Sequence, residues 1–261
     1  MNKYKLIATD FDGTLLDSEK NISKENIEAL KKCKEKGYYI VGVTARTSQS
    51  VFSVVDPLIF DYFILNNGTH VYDVLNSCLN TVVSIKKEEY ILLFNEMKSL
   101  CKEIDFCSGN FYYVYGNDSV KKSFIRNISS IDEIDDEIGR MNLFLHDVEK
   151  IEYYCDLINK KYPYINCFIM QDSDDVYKWL ALLPKGFSKL STLKELGIEL
   201  GVSLDEMIFF GDGPNDLEVI GEVGCGVAME NALDIVKDKA STSTLSNNNS
   251  GVSYFINKNL F

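Results

Sequence analysis

Two carboxylates one residue apart, Asp10 and Asp12 in Asp10-Phe11-Asp12-Gly13-Thr14-Leu15, follow the apolar run Leu6-Ile7-Ala8 where a buried strand opens into a loop. Gly13 permits a sharp departure from strand geometry there. The pair supplies a nucleophilic carboxylate, a second acid/base and oxygen ligands for a hard cation such as Mg²⁺. An acidic turn that merely closes a strand uses the same Asp-Gly pair, so the segment gains meaning from its company. Val43-Thr44-Ala45-Arg46 adds a hydroxyl and successive backbone amides near a helix start, an anion site or, equally, a helix cap at Thr44. Phe210-Gly211-Asp212-Gly213-Pro214-Asn215-Asp216 puts two carboxylates and an amide on a glycine loop, which suits a metal better than a core.

These residues need strands and helices to position them. Ser23 is a plausible N-cap, with Ile27, Leu30 and Cys33 at helical spacing and Gly37 closing the helix. Tyr39–Val43 and Tyr62–Leu65 read as further buried strands, with a helical stretch at 48–59 between them that contains Pro57. Near-continuous apolar strands alternating with helices predict an α/β fold, a parallel sheet covered on both faces. In such a sheet ligands sit beyond the carboxyl ends of the strands, where Asp10, Thr44 and Asn66 fall. The pattern resumes after Pro184 with a helix from Ser188, a strand at Met207–Phe210, a strand at Gly226–Met229 and a last helix starting near Gly251. Ser241–Ser250, rich in Ser, Thr and Asn, reads as a flexible surface connector.

Residues 80–184 differ in character and interrupt that core. Strands are expected at Thr81–Ile85, Phe111–Tyr115, Met141–Leu145, Ile165–Gln171 and Val176–Leu183, and helices at 87–102 and 148–160, which predicts a separate α+β module. The acidic run Ile131–Ile138 keeps isoleucines at i, i+3 and i+7 and reads as a solvated helix face rather than a metal loop. Tyr113 and Trp179 are expected in the core of this module, since large rings are usually buried, with Arg126 as a further candidate to point inward.

The 261 residues suffice for one large domain or two modest ones. A net charge of −12 disfavours nucleic acid and anionic membranes as partners. Seven scattered cysteines without a Cys-x-x-Cys pair indicate neither a disulfide framework nor zinc. No apolar stretch approaches the ~20 residues of a membrane span, and a cytoplasmic location is expected. His70 and His146 show no ligand spacing and are expected to be dispensable.

Four ordered segments resemble the haloacid dehalogenase superfamily of phosphotransferases, most closely its Cof-type sugar-phosphatase-like branch. They are Asp10–Leu15, Thr44 with Ala45 and Arg46, Gly186-Phe187-Ser188-Lys189, and Gly211–Asp216. The likeness extends to Asn66-Asn67-Gly68, Asn231-Ala232 and Gly251-Val252. Ala45 departs from the family's usual glycine. The resemblance implies a Rossmann-like core over 1–79 and 185–261, and a cap over 80–184 that chooses the leaving group. It implies Asp10 as nucleophile and Asp12 as acid/base, with Thr44 and Lys189 on the phosphoryl oxygens. Gly13, Ala45, Arg46, Asn66 and Asn215 join the implied phosphate and substrate contacts. Mg²⁺ is expected on Asp10, Asp12 through its carbonyl, and Asp212, with Asn215 and Asp216 orienting the metal shell. The expected activity is hydrolysis of a small phosphorylated metabolite, a sugar or cofactor phosphate. A phosphotransferase or mutase, or a non-catalytic phospho-ligand binding protein, stays open, as does the oligomeric state.

Overall fold

The computed structural model describes residues 3–119, 121–171 and 177–261. β1 (Leu6–Thr9) is buried along its whole length. α1 (Lys24–Glu35) starts where the Ser23 hydroxyl accepts the Asn26 N–H, and it turns Ala29, Leu30 and Cys33 inward. β2 (Tyr39–Val43), α2 (Ser48–Phe52) and β3 (Tyr62–Leu65) follow. The helix expected over 48–59 ends at Phe52, and a separate 3-10 turn, Pro57–Ile59, is capped by the Asp56 carboxylate. Proline at the first turn of a helix leaves no donor unsatisfied, which favours this restart. β4 (His70–Asp73) and β5 (Cys78–Thr81) then fold back as an antiparallel hairpin on β3.

The inserted segment runs through α3 (Lys87–Met97), β6 (Cys101–Ser108), β7 (Tyr112–Tyr115), β8 (Ile125–Ile128), β9 (Ile138–Leu145), α4 (Ile151–Lys161), β10 (Ile165–Gln171) and β11 (Lys178–Pro184). The chain then returns through α5 (Lys189–Leu200), β12 (Met207–Gly211), α6 (Leu217–Glu222), β13 (Cys225–Ala228), α7 (Asp234–Lys239), β14 (Thr242–Ser243) and α8 (Gly251–Asn259).

Two sheets result. The first has the order β14-β13-β12-β1-β2-β3-β4-β5 and is parallel except for its terminal hairpin. β1 lies between β12 and β2, so the chain leaves all three strands at one edge, and Asp10, Asp212 and Thr44 follow there. The second has the order β10-β11-β9-β6-β7-β8 and is antiparallel except where β7 meets β8. Each sheet has its own cluster of buried apolar side chains.

Several expectations need correction. The strand expected at 81–85 lies earlier, as β5, and straddles the expected division at 79/80. The helix expected to reach 102 stops at Met97, and Cys101 opens an eight-residue strand. The acidic run is not a helix beyond a short turn, Ile131–Glu133. Glu133 is drawn back onto the Ser129 and Ser130 N–H groups, while Ile131, Ile134 and Ile138 still bury as the next strand begins. Ser241–Ser250 is no loose connector, because β14 pairs in parallel with β13, and Asn247 donates its side-chain amide to the Leu16 carbonyl and its backbone N–H to Asn231 Oδ1. Val176, at the expected start of a strand, lies outside the described residues. Among the described residues no helix is long and apolar enough to cross a membrane.

Candidate active site

Phe11 anchors the first motif by burying its ring against Phe60 and Phe63, with centroids 5.6 and 6.1 Å away. The carboxylates on either side of it separate. Asp10 is buried and accepts the Lys189 ammonium on Oδ1 at 2.6 Å. Lys189, only 1% exposed, reaches Asp216 Oδ1 at 2.8 Å from the first turn of α5. Asp216 Oδ2 accepts the backbone N–H groups of Asp212 and Gly213, both at 3.1 Å, so both oxygens of Asp216 are committed. Asp212 accepts from the Thr14 hydroxyl at 2.6 Å. Carboxylate oxygens of Asp10, Asp212 and Asp216 lie within 4.8 Å of one another.

Burial raises the Asp10 carboxyl well above its usual range, against the pull of Lys189, and Asp216 and Asp212 add to the rise. Burial and then the Asp216 charge push Asp212 up to about 6. Lys189 is buried too, which alone would lower it, but Asp10 and Asp216 hold it firmly protonated. A divalent cation would relieve the crowding of Asp10 and Asp212, and the donors are hard oxygens without histidine or cysteine, so the residues fit Mg²⁺-type ligation. Asp216 belongs to the same cluster, and its bonds to Lys189 and two amides also hold that lysine beside Asp10.

Asp12 points elsewhere. Arg46 clamps it in a bidentate pair, Nε to Oδ2 and Nη2 to Oδ1, each 2.7 Å, and Lys20 adds a third bond at 2.9 Å. Burial opposes ionisation of Asp12, yet Arg46 outweighs it and holds the carboxyl down to about 2. The Asp12 carboxylate is therefore not in the acidic cluster.

Gly13 adopts φ +81°, and a Cβ there would collide with the Asp212 carboxylate. The position needs glycine on both counts. Thr44 is buried, and its hydroxyl accepts the Arg46 N–H at 3.1 Å. It does not cap α2, whose N-cap is Thr47. Ala45 and Arg46 line a cavity of about 400 Å³ that also reaches the second sheet. Asn66 and Asn67 take left-handed conformations, φ 50° and 58°, which asparagine tolerates. Asn66 donates to the Ser108 carbonyl in the inserted module at 2.6 Å, so its amide nitrogen ties the two modules together, while its buried Oδ1 has no hydrogen-bond partner. Asn215 donates to Asn67 Oδ1 at 3.1 Å and braces the Gly211–Asp216 loop.

Three features were not singled out from the sequence: the Thr14 bond to Asp212, the Asn231 bond to the Gly13 carbonyl at 2.7 Å, and the polar face of the second sheet. The alternation in Cys101-Lys-Glu-Ile-Asp-Phe-Cys and Ile138-Gly-Arg-Met-Asn-Leu-Phe-Leu was the available signal for the third. Tyr113 is in the module's own core, as expected, with its hydroxyl on Asp136. Trp179 instead lines the cavity, and Arg126 stacks over Phe111 on the far side at 3.7 Å.

Strand-end carboxylates bridged by a buried lysine, on a parallel sheet carrying an inserted α+β cap, define an enzyme of phosphoryl chemistry. A family model described as haloacid dehalogenase-like hydrolase matches residues 7–256, and the chain belongs to that family. A 5-amino-6-(5-phospho-D-ribitylamino)uracil phosphatase of Bacillus subtilis is 29% identical over 95% of this chain and 92% of its own length. Another phosphatase of that organism is 28% identical over 97% and 98%. A solved haloacid dehalogenase-like hydrolase from Bacteroides thetaiotaomicron matches with TM-score 0.84 at 27% identity, covering 99% of this chain and all of the other. The activity is that of a phosphatase.

Proposed function

We propose that the chain hydrolyses a small phosphate monoester through an aspartyl-phosphate on Asp10, with Mg²⁺ as cofactor. The observation that carries this reading is the buried Asp10–Lys189–Asp216 bridge beside Asp212, which fixes Asp10 at Oδ1 and leaves Oδ2 for attack. Mg²⁺, held by Asp10, Asp212 and the Asp12 carbonyl, would supply charge neutralisation for the phosphoryl oxygens.

The chain's own residues do the rest. Asp10 Oδ2 bonds to phosphorus as the ester P–O bond breaks, and Asp12 gives its proton to the leaving oxygen. Water then attacks phosphorus, its proton passes to Asp12, and the Asp10–phosphorus bond breaks to free phosphate. Clamped by Arg46 and Lys20, Asp12 is in its base form, so the acid half-reaction requires exchange of the Arg46 bonds as substrate enters. Thr44, the amides after it and Lys189 hold phosphoryl oxygens; Ala45 in place of glycine affects the fit at that turn more than the chemistry.

A small phosphorylated metabolite is also what the uracil-derivative phosphatase among the relatives is named for, and the cavity bounded by Asp12, Arg46 and the second sheet matches the size of small-ligand sites. A phosphate-release screen over phosphorylated metabolites, with and without Mg²⁺ and with Asp10→Asn as control, tests the reading. Release from several esters that persists in Asp10→Asn would overturn it.

A further inference from the structure

The second sheet has an apolar face and a polar one. Ile104 and Phe106 of β6, Met141 and Leu143 of β9, and Leu180 and Leu182 of β11 belong to the module's hydrophobic cluster. The alternate residues, among them Asp105, Arg140 and Asn142, line the 400 Å³ cavity together with Asp12 and Arg46 of the core. Asp105 and Asn142 are directly opposed across the β6–β9 ladder, and Arg140 precedes Asn142 by two residues on the same face.

This polar face is buried and incompletely satisfied. Asp105, Arg140 and Asn142 are 8%, 6% and 5% exposed, and Asp105 Oδ1, Arg140 Nε and Asn142 Oδ1 have no hydrogen-bond partner. Asn142 turns its amide nitrogen toward Asp105 Oδ2 at 3.4 Å and leaves its oxygen free. Among the described residues the one hydrogen bond of Arg140 goes from Nη2 to the Cys107 thiol, at 3.5 Å, and no carboxylate lies within ion-pair distance of its guanidinium, although the charge of Asp105 still acts on it. Leaving a buried guanidinium Nε–H and two buried acceptor oxygens without partners is costly, and a ligand in the cavity would supply those partners. The free atoms set one donor beside two acceptors, which complements a carbonyl next to an N–H. The walls are flat and apolar: Phe144 and Trp179 stack with centroids 5.8 Å apart and planes at 25°, and Tyr112 packs against Phe124 at 6.2 Å. Arg46, Lys122 and Arg140 face Asp12, Glu103 and Asp105 around the cavity; burial and then the Glu103 charge push the Asp105 carboxyl up to about 7, so above that pH the lining has no surplus positive charge to call for a second anion.

We propose that Asp105, Arg140 and Asn142 are specificity-determining residues that read the leaving group, and that this group is uncharged and ends in a planar ring bearing an amide edge, a C=O beside an N–H. The proposal rests on the phosphatase reading above and sharpens its substrate class.

The test uses uridine 5′-phosphate and ribose 5-phosphate, which share the phosphorylated arm and differ by such a ring. Calorimetric affinities are measured with Mg²⁺ on full-length Asp10→Asn, where turnover cannot confuse them. Uridine 5′-phosphate should bind at least tenfold more tightly. Adding Asn142→Leu or Arg140→Met should shrink the ratio below threefold while ribose 5-phosphate affinity persists, which also reports an intact fold. Methylation of the ring N–H, in 3-methyluridine 5′-phosphate, should do the same with the cap unaltered. A ratio near one, a ratio that survives these changes, or tighter binding of 3-phosphoglycerate would each overturn the proposal. Failure of the unsubstituted protein to release phosphate from these esters and from p-nitrophenyl phosphate would instead overturn the phosphatase reading, and the affinity ratios would still decide this one.

Discussion

Replacing Lys189 by methionine removes the one cation between two buried carboxylates while keeping the length and most of the bulk of the side chain. Lys189 is 1% exposed and bonds Asp10 at 2.6 Å and Asp216 at 2.8 Å. Breaking a buried pair by deleting one partner costs ~3–5 kcal/mol, because the remaining charge is left without compensation. With a urea dependence of about 3 kcal/mol per molar, that is a fall of roughly 1 M or more in the unfolding midpoint. The loss should depend on pH in a defined direction. Burial already raises Asp10 above its ordinary 3.8, and Lys189 is the largest influence pulling it back. Without Lys189 the folded Asp10 rises further, so between 3.8 and that raised value the folded variant binds protons that its unfolded chain has released. Its stability therefore falls as pH increases through this window and recovers on acidification. Urea midpoints of the native and Lys189→Met proteins, measured at pH 5 and pH 8, should lie closer together at pH 5. Phosphate release should fall at least a hundredfold at both. A midpoint difference that is absent at pH 8, or the same at both pH values, would refute the reasoning.

Asp10→Asn should lower phosphate release more than about a hundredfold with an unchanged unfolding midpoint or a higher one, since an amide cannot attack phosphorus and adds no buried charge. Gly13→Ala should cost at least tenfold in rate, and ~1–3 kcal/mol in stability, because the residue must hold φ +81° and its new methyl meets the Asp212 carboxylate; both are read by the same two assays. Excess chelator should abolish phosphate release, and Mg²⁺ should restore it, as hard oxygen donors without His or Cys require. His70 is buried, and its pKa is lowered from 6.5 to about 4 by that burial against the opposing charges of Glu137 and Asp136. Its neutral form should therefore stabilise the fold above 6.5, with a loss of roughly 3 kcal/mol as pH falls toward 4. His70→Gln should flatten the urea midpoint across that interval while leaving phosphate release at pH 7.5 intact.

How far the site was legible follows from how local its determinants are. Asp10 and Asp212 were placed correctly at strand ends because each follows its own short apolar run, and because parallel strands leave their sheet at a common edge. Lys189 is different. Nothing in its neighbourhood distinguishes it from a solvated lysine, and only the resemblance assigned it to the site, where its bond to Asp10 spans 179 residues of sequence. Asn247 shows the same limit, since a run of Ser, Thr and Asn has no periodicity from which a bond to Leu16 could be read. The first motif also proved less uniform than its spacing suggests, with Asp10 turned to Lys189 and Asp12 to Arg46.

The second sheet exposes a deeper reason. Alternating polar and apolar residues on β6 and β9 describe a sheet with one buried face, and in most antiparallel sheets the other face meets water. Whether it does so here is decided outside those strands. The core covers it: Ser48 donates to the Gly109 carbonyl at 2.9 Å, and Asn66 reaches the Ser108 carbonyl. These contacts sit at the end of β6, so they seat the cap over the strand ends that carry Asp10 and Asp12. The same pattern that would solvate Asp105, Arg140 and Asn142 in an isolated module thus buries them across the cavity from Asp12 and Arg46. Chemistry on this fold is encoded within segments of a few residues, whereas selectivity depends on a surface that exists only once cap and core have met.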